Sequence, residues 1–208
     1  MFRKFLIFFT IFLSFECFSS SFTQFNQEGI SFSIPSSQEW KELSKKEIDH
    51  IKDNASKITE MPHKNNTLIA LESSKGKIRL SIAPLEQESL GIENDLIELL
   101  KPENLSEKRE LISEMTAQQE ATFKNLEQRS NMKVSNLTVS LKQINKHVAF
   151  VISYDRNNNN GNDNFYVSQH HFPDSKNRRT IILTLSYSIM NKADLKPILD
   201  EVLSSLKF

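Results

Sequence analysis

Between Val134 and Ser188 the chain carries four runs rich in alternating apolar and polar residues, Val134 to Leu141, His147 to Arg156, Phe165 to Phe172 and Thr180 to Ser188, joined by short polar links. A period of two is the pattern of strands with one buried face, and strands with such short links pair with their sequence neighbours as an antiparallel meander. This block constrains the fold more than any other stretch. Asn160-Gly161, among polar residues between two of the runs, is a hairpin signal in its own right.

The flanking segments supply helices and a second hairpin. Gly29 to Pro35 alternates Ile30, Phe32 and Ile34 with serines, which reads as a half-buried strand ended by Pro35. Ser44 with Glu47 forms a capping box opening a helix whose Ile48, Ile51, Ala55 and Ile58 share one face. Thr67 to Leu71 and Lys77 to Ala83 are the arms of a hairpin around Ser73 to Gly76, and in its second arm Ile78, Leu80 and Ile82 alternate with polar residues. Ile92 to Leu100 reads as a helix stopped at Pro102, after which Asn104 and Glu107 cap a longer one reaching about Ser130. Leu111, Met115, Thr122 and Leu126 lie along one stripe of it, so it should rest on a sheet. A last helix begins near Asn191 or Asp194, tolerates Pro197 if that residue falls in the first turn, and buries Leu195, Leu199, Val202 and Leu206. Helices with a mainly antiparallel sheet between them define an α+β layered domain.

The amino terminus reads as an address. Arg3 and Lys4 precede an uncharged, largely apolar run from Phe5 to Phe15, followed by Ser19, Ser20 and Ser21, the plan of a secretory signal peptide over residues 1–21 with a cut near Ser21, a cut after Ser19 suiting it nearly as well. About eleven residues fall short of the roughly 20 needed to span a bilayer, so no stable membrane span is expected. Cys17 as a lipid-bearing residue is disfavoured by Phe15 and Glu16 just before it. Cutting after Ser21 removes the one cysteine, leaving a chain stabilised by its core without disulfides. The remaining residues, 22–208, number about 187, enough for one domain burying roughly 70% of its unfolded surface. Without Arg3, Lys4 and Glu16 the balanced 26 basic and 26 acidic side chains become 24 and 25, so the net charge is minus one. That balance gives no electrostatic reason to expect nucleic acid or an anionic membrane as partner.

The stretches GISFSIP followed by Trp40, YDRNNNNGNDNFYV, RRTIILTLSYS and DLKPILDEVLSSLKF together resemble the PsbP/Mog1/DcrB-like group over about Phe25 to Phe208. The resemblance implies an α/β/α sandwich around an antiparallel sheet, with Leu183 to Ser188 as a core strand feeding a packed closing helix. It also implies binding of a protein partner without catalysis. Members include a photosystem subunit, a nuclear-transport accessory protein and bacterial envelope proteins, and this chain is most similar to the exported bacterial ones. It departs from the lipoprotein members at Phe15 and Glu16.

Candidate chemistry is sparse. Asp155, Asn157 and Asn159 occupy the first, third and fifth places of a calcium loop, but Asn160 and Tyr166 stand where glycine and a bidentate glutamate are needed, so a plain turn is the better reading. His170 and His171 are neighbours on a strand and point to opposite faces, so they cannot share one metal ion. Ser186, His170 and Asp155 could be combined as a hydrolase, yet no nucleophile-elbow motif supports them. Lys176, Arg178 and Arg179 form a basic cluster that is a solvated turn or a dock for an acidic surface. The partner or ligand contacts expected from the sequence are Trp40, Tyr154, Arg156, Tyr166, His170, Arg178 and Arg179, with no cofactor, metal or catalytic residue. The reading is an exported, periplasmic or secreted, monomeric binding or accessory protein with an envelope protein as partner. Its rivals are a carrier of a small apolar ligand held between helix and sheet and, behind it, a hydrolase.

Overall fold

The computed structural model describes residues 22–36, 40–59, 65–85, 91–130, 132–158 and 164–208, and for residues 54–59 and 158 the backbone alone; the expected signal peptide lies outside them. Its elements are strands β1 (Phe22–Gln27), β2 (Ile30–Pro35) and β3 (Lys41–Glu42), helix α1 (Lys45–Thr59), strands β4 (Asn66–Glu72) and β5 (Gly76–Pro84), helices α2 (Ile92–Glu98) and α3 (Leu105–Arg129), strands β6 (Met132–Ile144), β7 (His147–Asn158), β8 (Asn164–Asp174) and β9 (Arg179–Ser188), and helix α4 (Lys192–Ser205). β1 and β2 form a separate hairpin, and the other seven strands make one sheet in the order β3-β4-β5-β9-β8-β7-β6. Every pairing in that sheet is antiparallel. The meander expected from the alternating runs is its β6-β7-β8-β9 half, and β9 joins it to the β4-β5 hairpin by pairing Ile181 to Tyr187 with Ile82 to Gly76.

Alternation sorts the side chains into two layers. On one face Ile78 and Leu80 of β5, Ile181, Leu183 and Leu185 of β9, and Phe172 of β8 meet Leu195, Leu199 and Val202 of α4 and Ile30, Phe32 and Ile34 of β2. The opposite face receives three helices: α1 lays Ile48 over β4 and β5, α2 sets Leu96 against Leu141 and Val148, and α3 places Ile112, Met115 and Phe123 over Val139, Ile152, Tyr154 and Val167. The result is the α+β sandwich anticipated from sequence, with a hairpin sharing the α4 layer. Ser31 and Lys207 exchange backbone hydrogen bonds of 2.9 and 2.8 Å, so the end of the chain is stitched to β2. No helix among the described residues is long and apolar enough to cross a membrane.

Local signals acted largely as read. Ser44 N–H and its hydroxyl donate to Glu47 Oε2 at 2.7 and 2.8 Å, and Glu47 N–H reaches back to Ser44 Oγ at 3.4 Å, completing the capping box of α1. Three expectations need correction, and one strand was not foreseen. Thr122 is exposed and Phe123 takes its place on the packed stripe, because the larger apolar side chain wins the contact with Tyr154, 4.6 Å between ring centres. Asn104 does not cap α3; its side chain donates to Glu98 O at 2.9 Å, and α3 is entered through a 3-10 turn at Pro102–Asn104. Pro197 is the sixth residue of α4 rather than part of its first turn. It is tolerated there because Pro197 and Ala193 lie on the exposed side, where water can satisfy the carbonyl left without its helical donor. β1 was not anticipated, since its residues are exposed or half-buried and only Phe25 reaches the core, stacking on Phe32 at 5.4 Å.

Gly76 opens β5 under α4, where an added Cβ would stand 2.8 Å from both Leu195 Cδ1 and the Ser186 carbonyl oxygen. The oxygen belongs to a paired strand and cannot retreat alone, so Gly76→Ala should lower unfolding free energy by about 1–3 kcal/mol, measurable by urea titration.

Candidate functional site

α4 packs against β2 and β9, and beside it lies a groove whose floor is formed by β6 to β9. The groove is about 240 Å3 and combines an apolar wall, Val151, Leu185, Leu199 and Leu203, with Ser153, Tyr166, Ser168, His170 and Tyr187. Lys142 stands at one side and the Lys196–Asp200 pair, 2.6 Å apart, at the other. The strand register assembles it: Tyr166 lies opposite Tyr187, Ser168 opposite Leu185 and His170 opposite Leu183, so all their side chains emerge on the α4 face. The two tyrosine rings pack at 5.1 Å.

His170 is 5% exposed. Its Nε2 and the Ser168 hydroxyl are hydrogen-bonded at 2.9 Å, while its buried Nδ1 has no partner among the described residues. Burial, helped by the positive charge of Lys142 and, once it protonates, by that of His171, pushes its pKa down to about 4, so the ring is neutral at pH 7. A serine–histidine contact invites comparison with a nucleophile and its base. A base with so low a pKa is weak, and no carboxylate orients its Nδ1 among the described residues. Asp155 is on the same face, but lies opposite Tyr166 while His170 lies opposite Val151, about 13 Å apart along the strand. It accepts instead from Asn136 Nδ2 at 2.6 Å. Ser186, the serine considered from sequence, pairs with Lys77 and Val167 and projects from the opposite face. The three residues weighed as a hydrolase are therefore not brought together.

The groove opens onto a ledge formed by the 3-10 turn Ile189–Asn191. Met190 is 93% exposed, Ile189 is exposed beside it, and Pro197, Lys196 and Asp200 continue the surface back to the groove. Neither residue carries a sequence signal, because only the folded connection between β9 and α4 shows that they bypass the core.

Of the contacts expected from sequence, Tyr166 and His170 share this groove. Tyr154 and Arg156 lie on the other face: Tyr154 is buried against Phe123, and Arg156 sits 5.5 Å over the Phe165 ring with its Nε buried and unpartnered. Trp40 packs against the main core, its Nε1 likewise without a partner among the described residues. Arg179 is tied to Asp174 at 2.8 Å and donates to the Glu28 carbonyl at 3.2 Å, anchoring the β1–β2 turn. Arg178 is exposed, with a φ of 52° closing the 3-10 turn Ser175–Asn177. His170 and His171 do fall on opposite faces, and no metal-holding group of His, Cys, Asp or Glu occurs among the described residues. Asn159, Asn160 and Gly161 of the loop weighed for calcium lie outside the described residues.

No protein-family model matches the sequence, and no curated protein matches it. Among solved structures the chain is similar to cyanobacterial PsbP (CyanoP) from Synechocystis sp. PCC 6803, with 11% identity, a TM-score of 0.52, and coverage of 90% of this chain and 92% of that one. It also aligns with PA94 of Pseudomonas aeruginosa, a protein of unknown function, at 12% identity and a TM-score of 0.36, over 90% of this chain and 96% of that one.

Proposed function

We propose that this chain, whose fold is PsbP/Mog1-like, is an exported, non-catalytic binding protein of a bacterial envelope, made of one domain over residues 22–208. Its partner is a polypeptide docking on the Met190 ledge and the adjoining groove. The carrying observation is the position of Met190, 93% exposed on a ledge that shares Lys196 and Asp200 with a groove floored by a buried histidine whose Nδ1 has no partner among the described residues. A single exposed methionine is ordinary on any surface, but one contiguous with a mixed polar and apolar groove has the composition of an interface centre. A segment presenting an apolar side chain to Met190 and an acidic one to Lys142 and His170 would complement both parts. Catalysis is disfavoured by the low basicity of His170. Export rests on the signal-like residues 1–21, and a cut after Ser21 would leave β1 whole, since it begins at Phe22.

The test is partner recovery from the host's envelope after mild cross-linking. Met190→Lys and Lys142→Glu should each reduce recovery of the same partner about tenfold, the range expected for a central contact, while Lys124→Glu on the exposed side of α3 leaves it unchanged. Equal recovery from all three variants would refute the docking site.

A further inference from the structure

A second cavity, of about 150 Å3, lies on the other face of the sheet beneath α1. Its polar side is Arg79 of β5 with Lys52 of α1, Gln169 and Thr184, and its apolar side includes Ile48 and Ile182. The Arg79 guanidinium is the anomaly. Its side chain is half-buried, no carboxylate lines the cavity among the described residues, and no described carboxylate pairs with Arg79. A half-buried guanidinium keeps part of its hydration, and with no described anion beside it in a concave site it is an open position for a carboxylate. Burial and the charge of Arg156 push its pKa down, the direction expected of a cation lacking its counter-charge.

Among the described residues the neighbours do not supply that charge. Thr67 and Ser81 hydroxyls bond each other at 3.2 Å, Lys52 Nζ reaches only the neutral Asn66 Oδ1 at 3.4 Å, and His171 is held neutral by burial, its pKa pushed down to about 4. The site is thus two cations, neutral donors and an aliphatic wall, in a volume that is roughly benzene-sized. Guanidinium forks match carboxylates in a bidentate manner, and the aliphatic wall selects for an apolar body.

The geometry points to a ligand site under α1 for a small monocarboxylate with a short branched or aromatic body, its carboxylate on Arg79 and its body against Ile48 and Ile182. This site is independent of the Met190 ledge, on the opposite face of the sheet.

Calorimetric titration of the full mature chain with benzoate and with isovalerate, each against its neutral alcohol, tests it. At least one acid should bind saturably at one site, with its alcohol about tenfold weaker or more, as loss of a charge-assisted contact requires. Arg79→Met, which keeps the apolar bulk, should weaken the acid by a similar factor, and Lys207→Met at the exposed end beside β2 should not. Should Arg79→Met fail to fold, side-chain nitrogen spectra of the wild-type chain serve instead, in which the acid should shift Arg79 Nε–H and the Gln169 amide together. Equal binding of acid and alcohol, undiminished binding by Arg79→Met, unmoved Arg79 and Gln169 signals, or no saturation by either acid up to about 10 mM would overturn the assignment.

Discussion

Phe172→Ala should lower unfolding free energy by about 3–5 kcal/mol, a large part of the margin of a domain this size. Phe172 is fully buried at the junction of the sheet, the closing helix and the chain's last residue. Its ring packs on Phe208 edge-on at 5.7 Å and lies 6.4 Å from His170, and Phe208 in turn stacks on His147 at 3.9 Å. Removing it opens a cavity whose walls are paired strands and cannot collapse, so both the transfer and the cavity contributions are lost. Urea titration measures the change. The exposed Phe22 provides the contrast, since Phe22→Ala should cost less than about 1 kcal/mol.

Acidification should have a comparable effect through two histidines. His170 and His171 are each held at a pKa of about 4 by burial, against an ordinary value of 6.5, with the charges of Lys142 and His171 adding to the effect at His170. Between those values the unfolded chain binds protons that the folded chain refuses, so stability falls as the pH drops from about 6.5 to about 4 and levels off for these groups below that. From about pH 7.5 to about pH 4.5 each histidine should remove about 2 kcal/mol, roughly 4–5 kcal/mol together. Carboxylates act in a lower window. Glu47, held down to about 2 by hydrogen bonds from Lys41 and Ser44, and Asp174, held below its ordinary value by Asn177 and Arg179 although burial opposes them, lose their contributions as they protonate below the ordinary carboxylate range. Urea titrations at the two pH values should therefore show a steep loss in the wild-type chain and a much smaller one in the His170→Gln, His171→Gln double variant. An unchanged slope in the double variant would place the acid sensitivity elsewhere.

The fold was legible wherever side-chain alternation met a clear turn. Asn145 shows how far that goes: it is the left-handed residue of the β6–β7 turn, φ 56°, and its side chain also donates to the Leu203, Ser204 and Leu206 carbonyls at the end of α4. The turn is written in the sequence, but the second task is not, because it depends on which helix lies across the strand ends. β1 was hidden for a related reason: it is stabilised by pairing with β2 more than by a buried face, so it carries little alternation. At the candidate site, strand parity correctly separated His170 from His171. It could not reveal that Tyr166, Ser168 and His170 of β8 would meet Tyr187 of β9 and Lys142 of β6 beside α4, which needs the register of four strands. Met190 was the least legible of all, since its place between the last strand and the last helix does not tell which way that connection turns its side chain.

The most direct test of partner docking at the ledge is site-specific photo-cross-linking in the living host. A photoreactive side chain would be placed in turn at Met190, at Tyr166 in the groove and at Lys124 on the outer side of α3. Docking at the ledge predicts one discrete protein adduct of the same mass from Met190 and Tyr166, and none from Lys124. Adducts of equal yield at all three positions, or none at Met190, would contradict it.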